Sequence, residues 1–301
     1  MRVRFWGVRG SIPTPGPNTI RYGGNTPCIE VRTNDSRLFI LEAGTGLREL
    51  GNSLIKEKKN INAAILLSHT HWDHIHGFPF FIPIYIIGNK FDIYGPWSID
   101  ADLQSIVAGQ MTFQYFPVKL EHVMATLEFH ELKAGSYNIQ DASVTVKYMN
   151  HPVPTIGYRI FVDDTVLVYS GDNESVQNIF KKDSDIETNE EDIIMKEAEQ
   201  AVIEAHKEMV AFAKDADMLI YDAQYTKDEY QSKKGWGHST FEDAIEIARE
   251  ANVRRLVFFH HDPSRKDEEL ERILLKHKRE LEKEKSPLLL LAAQEGMELE
   301  I

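Results

Sequence analysis

Apolar and polar positions in the first half of the chain change over in short bursts. Val3 to Gly7, Cys28 to Arg32 and Arg37 to Glu42 are β-branched, leucine and aromatic runs cut by Gly, Pro and Asn clusters, which predicts short strands. After Glu42 the period lengthens: Leu47, Leu50, Leu54 and Ile55 recur at helical spacing behind Gly44-Thr-Gly46. Ala63 to Leu67 is continuously apolar, too short for a helix and bounded by polar residues, so it predicts a strand buried on both faces. Further strands are predicted at Phe91 to Tyr94, Ser143 to Met149, Gly157 to Val162 and Thr165 to Tyr169, with Asp163-Asp164 as the turn between the last two. The second half is more helical. Asp192 to Ala213 is a long periodic stretch, and Ser239-Thr-Phe-Glu242 predicts a capping box ahead of a helix burying Ala244, Ile245 and Ala248. Met218 to Tyr221 and Arg255 to Phe259 read as strands. Lys266 to Lys285 reads as a charged helix with an apolar stripe of Leu270, Ile273, Leu274 and Leu281. Strands recur from end to end with no repeat or long linker, which favours one mixed α/β domain.

Composition narrows this picture. The 301 residues are 42% hydrophobic and 27% charged, ordinary for a globular protein. The formal charge of −13 argues against coating nucleic acid or anionic membrane, which demands basic surface, but not against a small anion held at one local site. The acid is concentrated: residues 181–217 hold 12 Asp/Glu against 5 Lys/Arg. The one cysteine, Cys28, has no partner for an intrachain disulfide and reads as a buried core thiol. No apolar stretch has the form of a secretory signal or reaches the roughly 20 residues that span a bilayer, so a soluble cytoplasmic protein without membrane partners is expected.

The strand at Ala63 to Leu67 runs straight into Ser68-His-Thr-His-Trp-Asp-His74. His69, His71, Asp73 and His74 are four metal-competent side chains within six residues, and imidazole with carboxylate suits zinc and similar divalent ions. Alternate residues leaving a strand share a side, so His69, His71 and Asp73 are expected to converge.

His-x-His-x-Asp-His followed by Gly77 resembles the signature of the metallo-β-lactamase superfamily. Gly7-Val-Arg-Gly-Ser-Ile-Pro13, Tyr22-Gly-Gly-Asn-Thr26, Gly44-Thr-Gly46, Tyr221-Asp-Ala-Gln-Tyr225 and Gly235-Trp-Gly-His-Ser-Thr240 resemble its ribonuclease Z-like phosphodiesterase branch. The resemblance implies a four-layer αββα sandwich, two mixed sheets flanked by helices. It implies one hydrolase domain over residues 1–301, with an acidic helical insertion at about 173–215 and a C-terminal helix at about 265–285. It further implies two divalent ions, zinc first, with manganese or iron as alternatives. His69, His71 and His151 would hold one; Asp73, His74 and His260 the other; Asp172 would bridge. His261 competes with His260 for the last place. Asp73, His238 and Asp222 are the implied catalytic residues: His238 contacts the phosphate and protonates the leaving group, and Asp222 orients it. One departure is Glu42, where the branch usually has Asp, which leaves the bracing of the metal loop in question.

The implied reaction is phosphodiester hydrolysis by a metal-bridged hydroxide. Ribonuclease Z proper carries a transfer RNA-gripping arm between the fourth histidine and the bridging aspartate. Here Pro152 to Gly171 holds only a loop and two predicted strands. Six acids without a Lys or Arg lie between Asp183 and Asp192, poor ground for folded RNA; the run reads as a solvated face or as a lid. A small nucleotide, of the cyclic-nucleotide type, is therefore the expected substrate, with large nucleic acid disfavoured. Phe113, Tyr115 and Phe116 read either as base-stacking aromatics or as core or interface residues. The alternatives are a ribonuclease Z-like endonuclease processing transfer RNA 3′ ends and, in another class, a non-catalytic metal-binding protein. The branch also allows a homodimer.

Overall fold

The structure is a computed structural model and describes residues 1–177 and 189–301. Among the described residues the apolar runs form two seven-stranded mixed sheets. The first contains β1 (Arg2–Gly7), β2 (Cys28–Arg32), β3 (Leu38–Leu41), β4 (Asn62–Leu66), β5 (Lys90–Pro96) and β6 (Thr126–Leu132). The second contains β7 (Gly135–Ile139), β8 (Ala142–Tyr148), β9 (Ile156–Val162), β10 (Thr165–Tyr169), β11 (Met218–Asp222), β12 (Arg255–Phe259) and β13 (Leu289–Ala292). The chain then returns as β14 (Glu298–Glu300), antiparallel to β1 at the edge of the first sheet. Strands β3 to β6 run parallel, as do β10 to β13.

Alternation along the strands explains the layering. Phe39, Leu41 and Leu66 from one sheet meet Ile160, Leu167, Ile220, Val257 and Phe259 from the other in a shared core. The intervening residues face outward and need a second cover. Ile40, Ala63 and Ile65 are covered by Leu47, Leu50 and Leu54 of α1 (Gly46–Leu54). Beyond the short α2 (Trp72–Ile75), Leu103 and Val107 of α3 (Leu103–Gly109) join the same cluster. On the second sheet, Leu219, Leu256 and Phe258 are covered by α4 (Asn189–Ala213), α6 (Phe241–Glu250) and α7 (Asp267–Lys283), with α5 (Lys227–Tyr230) a single turn in between. The result is the four-layer αββα sandwich. Strands with both faces buried must be apolar throughout, as Ala63 to Leu67 is.

Several expectations shift. The capping box lies one residue later: Thr240 is the N-cap of α6 and Asp243 reaches back to it, because Ser239 turns its hydroxyl to the Asn173 carbonyl instead. Ile55 is only half-buried, since α1 ends before it. The segment from about residue 173 does not begin as an outlying insertion, for Asn173 and Glu174 are buried and hydrogen-bonded into the site. Of the acidic run from Asp183 to Asp192, the part through residue 188 lies outside the described residues and the remainder starts α4. Phe113 and Tyr115 are exposed, so neither is core, whereas Phe116 packs edge-on against Phe80. Asp163 and Asp164 both adopt left-handed backbone, the requirement of the tight turn between β9 and β10. Cys28 is buried at the start of β2, and that burial pushes its thiol up.

Candidate metal centre

In parallel sheets the loops at the carboxyl ends of strands form the usual crevice for ligands. Here β4 ends into His69, β10 into Asp172, β11 at Asp222, β12 into His260, and β8 leads to His151. The two sheets are tied at that edge. Tyr158 of β9 donates its hydroxyl to the Leu67 carbonyl at 2.6 Å, and Ile156 N–H donates to Ser68 O at 2.9 Å.

The side chains gather in two groups that share Asp172, beside a third cluster of Asp172, Asp222, His238 and His260. His69, His71, His151 and Asp172 form one; Asp73, His74, Asp172 and His260 form the other, with donor atoms in each within 4.8 Å of one another. Asp73 does not continue the strand alternation, because the chain turns into α2 at Trp72 and carries Asp73 and His74 toward His260. Donors about 2.0–2.2 Å from a tetrahedral zinc stand about 3.3–3.6 Å apart. The observed separations match: His151 Nε2 to His71 Nδ1 3.2 Å, His69 Nε2 to Asp172 Oδ2 3.6 Å, His74 Nε2 to Asp172 Oδ2 3.4 Å and His260 Nε2 to Asp172 Oδ1 3.3 Å. His69 Nε2 and Asp172 Oδ1 are buried with no hydrogen-bond partner among the described residues, a costly state that a cation relieves. The residues present fit a pair of divalent ions.

In the first group the electrostatics agree with that fit; in the second, burial would lower His74 but the carboxylates of Asp172, Asp73 and Glu42 raise it well above its usual value. Burial lowers His151 to about 4 and pulls His69 well down, so both imidazoles are neutral, as ligation requires. Burial alone would raise the Asp172 carboxyl, but His260, His74 and His69 hold it well below the usual carboxylate range.

Four of the candidate ligand imidazoles have a partner on the far side, which fixes ring orientation. His69 Nδ1 donates to Ser68 Oγ at 2.9 Å, and His151 Nδ1 to the Gly237 carbonyl at 2.9 Å. The Gln224 amide stands 3.4 Å from His260 Nδ1. Asp73 Oδ2 accepts the Ser11 N–H at 2.7 Å, which gives the Gly10-Ser11 turn a role that its motif did not reveal. Glu42 is fully buried; one oxygen accepts the Ser68 N–H at 3.0 Å and the other stands 3.2 Å from His74 Nδ1. The extra methylene therefore still reaches the metal loop. Glu42→Ala is expected to weaken metal binding by about 10- to 100-fold in chelator competition. An unchanged affinity would reduce Glu42 to packing.

His260 adopts left-handed backbone, so the next residue is thrown the other way. His261 donates Nε2–H to the Ala293 carbonyl at 2.8 Å, and burial lowers its pKa to about 3. It is a structural histidine. Beside the second metal group, His238 stacks on His260 with ring centroids 4.9 Å apart and donates Nδ1–H to Asp222 Oδ2 at 2.8 Å. Burial would lower the His238 imidazole, but the charge and hydrogen bond of Asp222 outweigh it and lift the pKa to about 9.

The family model described as "Anti-Pycsar protein Apyc1" matches residues 27–248. The chain belongs to that family. This Apyc1-family chain is 22% identical over 286 residues to ribonuclease BN of Proteus mirabilis, covering 86% of this chain and 88% of the relative. Its fold is similar to the metallo-β-lactamase fold protein YhfI from Bacillus subtilis, with TM-score 0.65, 19% identity and coverage of 99% and 98%. It is similar too to human tRNase Z, short form, with TM-score 0.62, 17% identity and coverage of 100% and 99%. The Apyc1-family chain lies in the metallo-β-lactamase superfamily, in its ribonuclease Z-like branch. Among its described residues no helix is long and apolar enough to cross a membrane.

Proposed function

We propose that this chain, a metal-dependent phosphodiester hydrolase, opens the phosphodiester of a small cyclic nucleotide with two divalent ions. His69, His71 and His151 would hold one ion and Asp73, His74 and His260 the other, with Asp172 within reach of both groups. Zinc comes first, and manganese or iron suit the same donors. When bound, such a pair supplies a nucleophilic water at neutral pH and neutralises phosphoryl charge. The chain's own residues do the rest. His238, held by Asp222 through Nδ1, has Nε2 left to bind a phosphoryl oxygen and to give a proton to the departing alkoxide. Water adds across one P–O bond, leaving a phosphomonoester and a free hydroxyl.

The observation that carries this reading is the His238–Asp222 pair stacked against the donor set, an arrangement that metal storage would not require. Substrate size is argued separately. Between His151 and Asp172 the chain is consumed by a loop, β9 and β10, leaving no room for an RNA-gripping arm. A cavity of about 720 Å³ beside His151 and Gly237 is of nucleotide size. Membership of the Apyc1 family points toward cyclic nucleotides as well. The site draws on both sheets, which supports one hydrolase domain over the whole chain. The same reading keeps the protein in the cytoplasm and allows a homodimer.

The test is a panel of 3′,5′- and 2′,3′-cyclic nucleotides, dinucleotides and precursor transfer RNA, run on metal-analysed protein. Ring opening of a cyclic nucleotide is the expected result. Cleavage of precursor transfer RNA with every cyclic nucleotide intact would establish the endonuclease reading instead. Retained metal with no turnover of any member would make this a binding protein.

A further inference from the structure

We infer that Glu174 is a positioning residue that fixes the Gly235–Gly237 turn, and through it sets both the ligand His151 and the acid His238. The inference rests on the phosphodiesterase reading for its His238 arm only.

Glu174 is buried two residues beyond Asp172 and sits in no motif. Three donors converge on its carboxylate. Tyr230 Oη and Gly235 N–H donate to Oε1 at 2.5 and 2.8 Å, and Gly237 N–H donates to Oε2 at 2.7 Å. Its backbone is tied to the segment that delivers His151: Glu174 N–H donates to Asn150 O at 2.8 Å, and Asn150 Nδ2 donates back to Glu174 O at 2.9 Å.

The turn that it grips needs gripping. Gly235 and Gly237 both hold positive φ, +81° and +89°, and glycine has the greatest backbone freedom to lose. At Gly237 the freedom is a steric necessity, because a Cβ would stand 2.2 Å from His151 Nδ1. Gly237 is thus caught from both sides: its N–H by Glu174, its carbonyl by His151. The next residue is His238. A shift of this one residue would free the His151 ring and move the acid together.

A carboxylate is required here. Both oxygens accept, and three donors are satisfied. Glutamine would present an NH₂ to at least one of them, leaving two donors face to face in a buried place.

The experiment compares wild type, Glu174→Gln, His238→Ala and the double variant. Substrates are a 3′,5′-cyclic nucleotide, whose alkoxide needs a proton to leave, and bis(p-nitrophenyl) phosphate, whose phenolate does not. Metal affinity is measured by chelator competition. Glu174→Gln is expected to lower kcat on the cyclic nucleotide by about 10- to 100-fold, with a smaller loss on the nitrophenyl ester, and to weaken the binding of one of two ions. In the His238→Ala background, assayed at saturating metal so that the His151 arm is silent, the same change should add little on the cyclic nucleotide, since residues acting through one another are non-additive. Equal losses on both substrates with unchanged metal affinity, or full additivity, would overturn the inference. Should Glu174→Gln fail to fold, Tyr230→Phe removes one of the three donors and must shift the same readouts in the same direction, more weakly. If wild type with metal bound turns over neither substrate, the phosphodiesterase reading fails, while metal affinity still decides whether Glu174 holds His151.

Discussion

Asp172→Ala is expected to yield protein that retains neither metal ion and shows at least about 10³-fold lower phosphodiesterase turnover. Asp172 is the one residue common to both donor groups, with its carboxylate oxygens 3.3–4.0 Å from imidazole nitrogens of His69, His74, His151 and His260. Removing it leaves those imidazoles converging on one buried point without a shared counter-charge. A cation brought there would lose a shared carboxylate ligand, and water at the site would go without the acidification that bound metal supplies. Elemental analysis after dialysis reads the first effect, and turnover of the active member of the panel reads the second. Asp172→Asn keeps the shape and one neutral oxygen, so it should show intermediate occupancy. Two full equivalents of metal in Asp172→Ala would contradict the bridging role.

His238→Ala should separate metal binding from catalysis. The ring stacks on His260 and shares a third possible donor cluster with Asp172, Asp222 and His260, but its Nδ1–H is taken by Asp222, so metal content is expected to be unchanged. General acid assistance contributes about 10²- to 10⁴-fold, and turnover of a cyclic nucleotide should fall within that range. Hydrolysis of bis(p-nitrophenyl) phosphate should fall less, because nitrophenolate leaves without a proton. Burial raises the Asp222 carboxyl and His238 opposes that rise, so the alanine variant also leaves an acid without its main cation. His238→Asn restores a donor to Asp222 and isolates proton transfer from packing. Unimpaired cyclic-nucleotide turnover in both variants would remove His238 from the mechanism.

How much of this was legible along the chain follows from the range of each interaction. The metal loop announced itself because His69, His71, Asp73 and His74 are local in sequence and follow an apolar strand. Ala63 to Leu67, Met218 to Tyr221 and Arg255 to Phe259 were readable as strands because burial on both faces leaves no polar position. Strands β6, β7, β13 and β14 were not anticipated. β6 and β7 carry polar residues on a partly exposed sheet, β13 is too short to tell from a helical fragment, and β14 is three residues paired with β1 from the far end of the chain. The capping box was one residue out because the Ser239 hydroxyl found a carbonyl 66 residues away.

By itself the sequence determined the apolar strands and the four-residue metal-competent loop, and its resemblance to the metallo-β-lactamase superfamily implied the sandwich architecture. The strands and the loop depend on contacts between near neighbours or on a periodicity that burial imposes. Only the tertiary structure decided which donor atoms share a group and that Asp73 turns away from His69 and His71. It also decided that His260 rather than His261 faces the site, and that Glu174 grips the turn before His238. Those outcomes depend on backbone turns at single residues and on partners such as His74 and His260, 186 positions apart. A polar side chain in a loop carries no periodic signature, so its partner is known only when the two sheets have closed on each other.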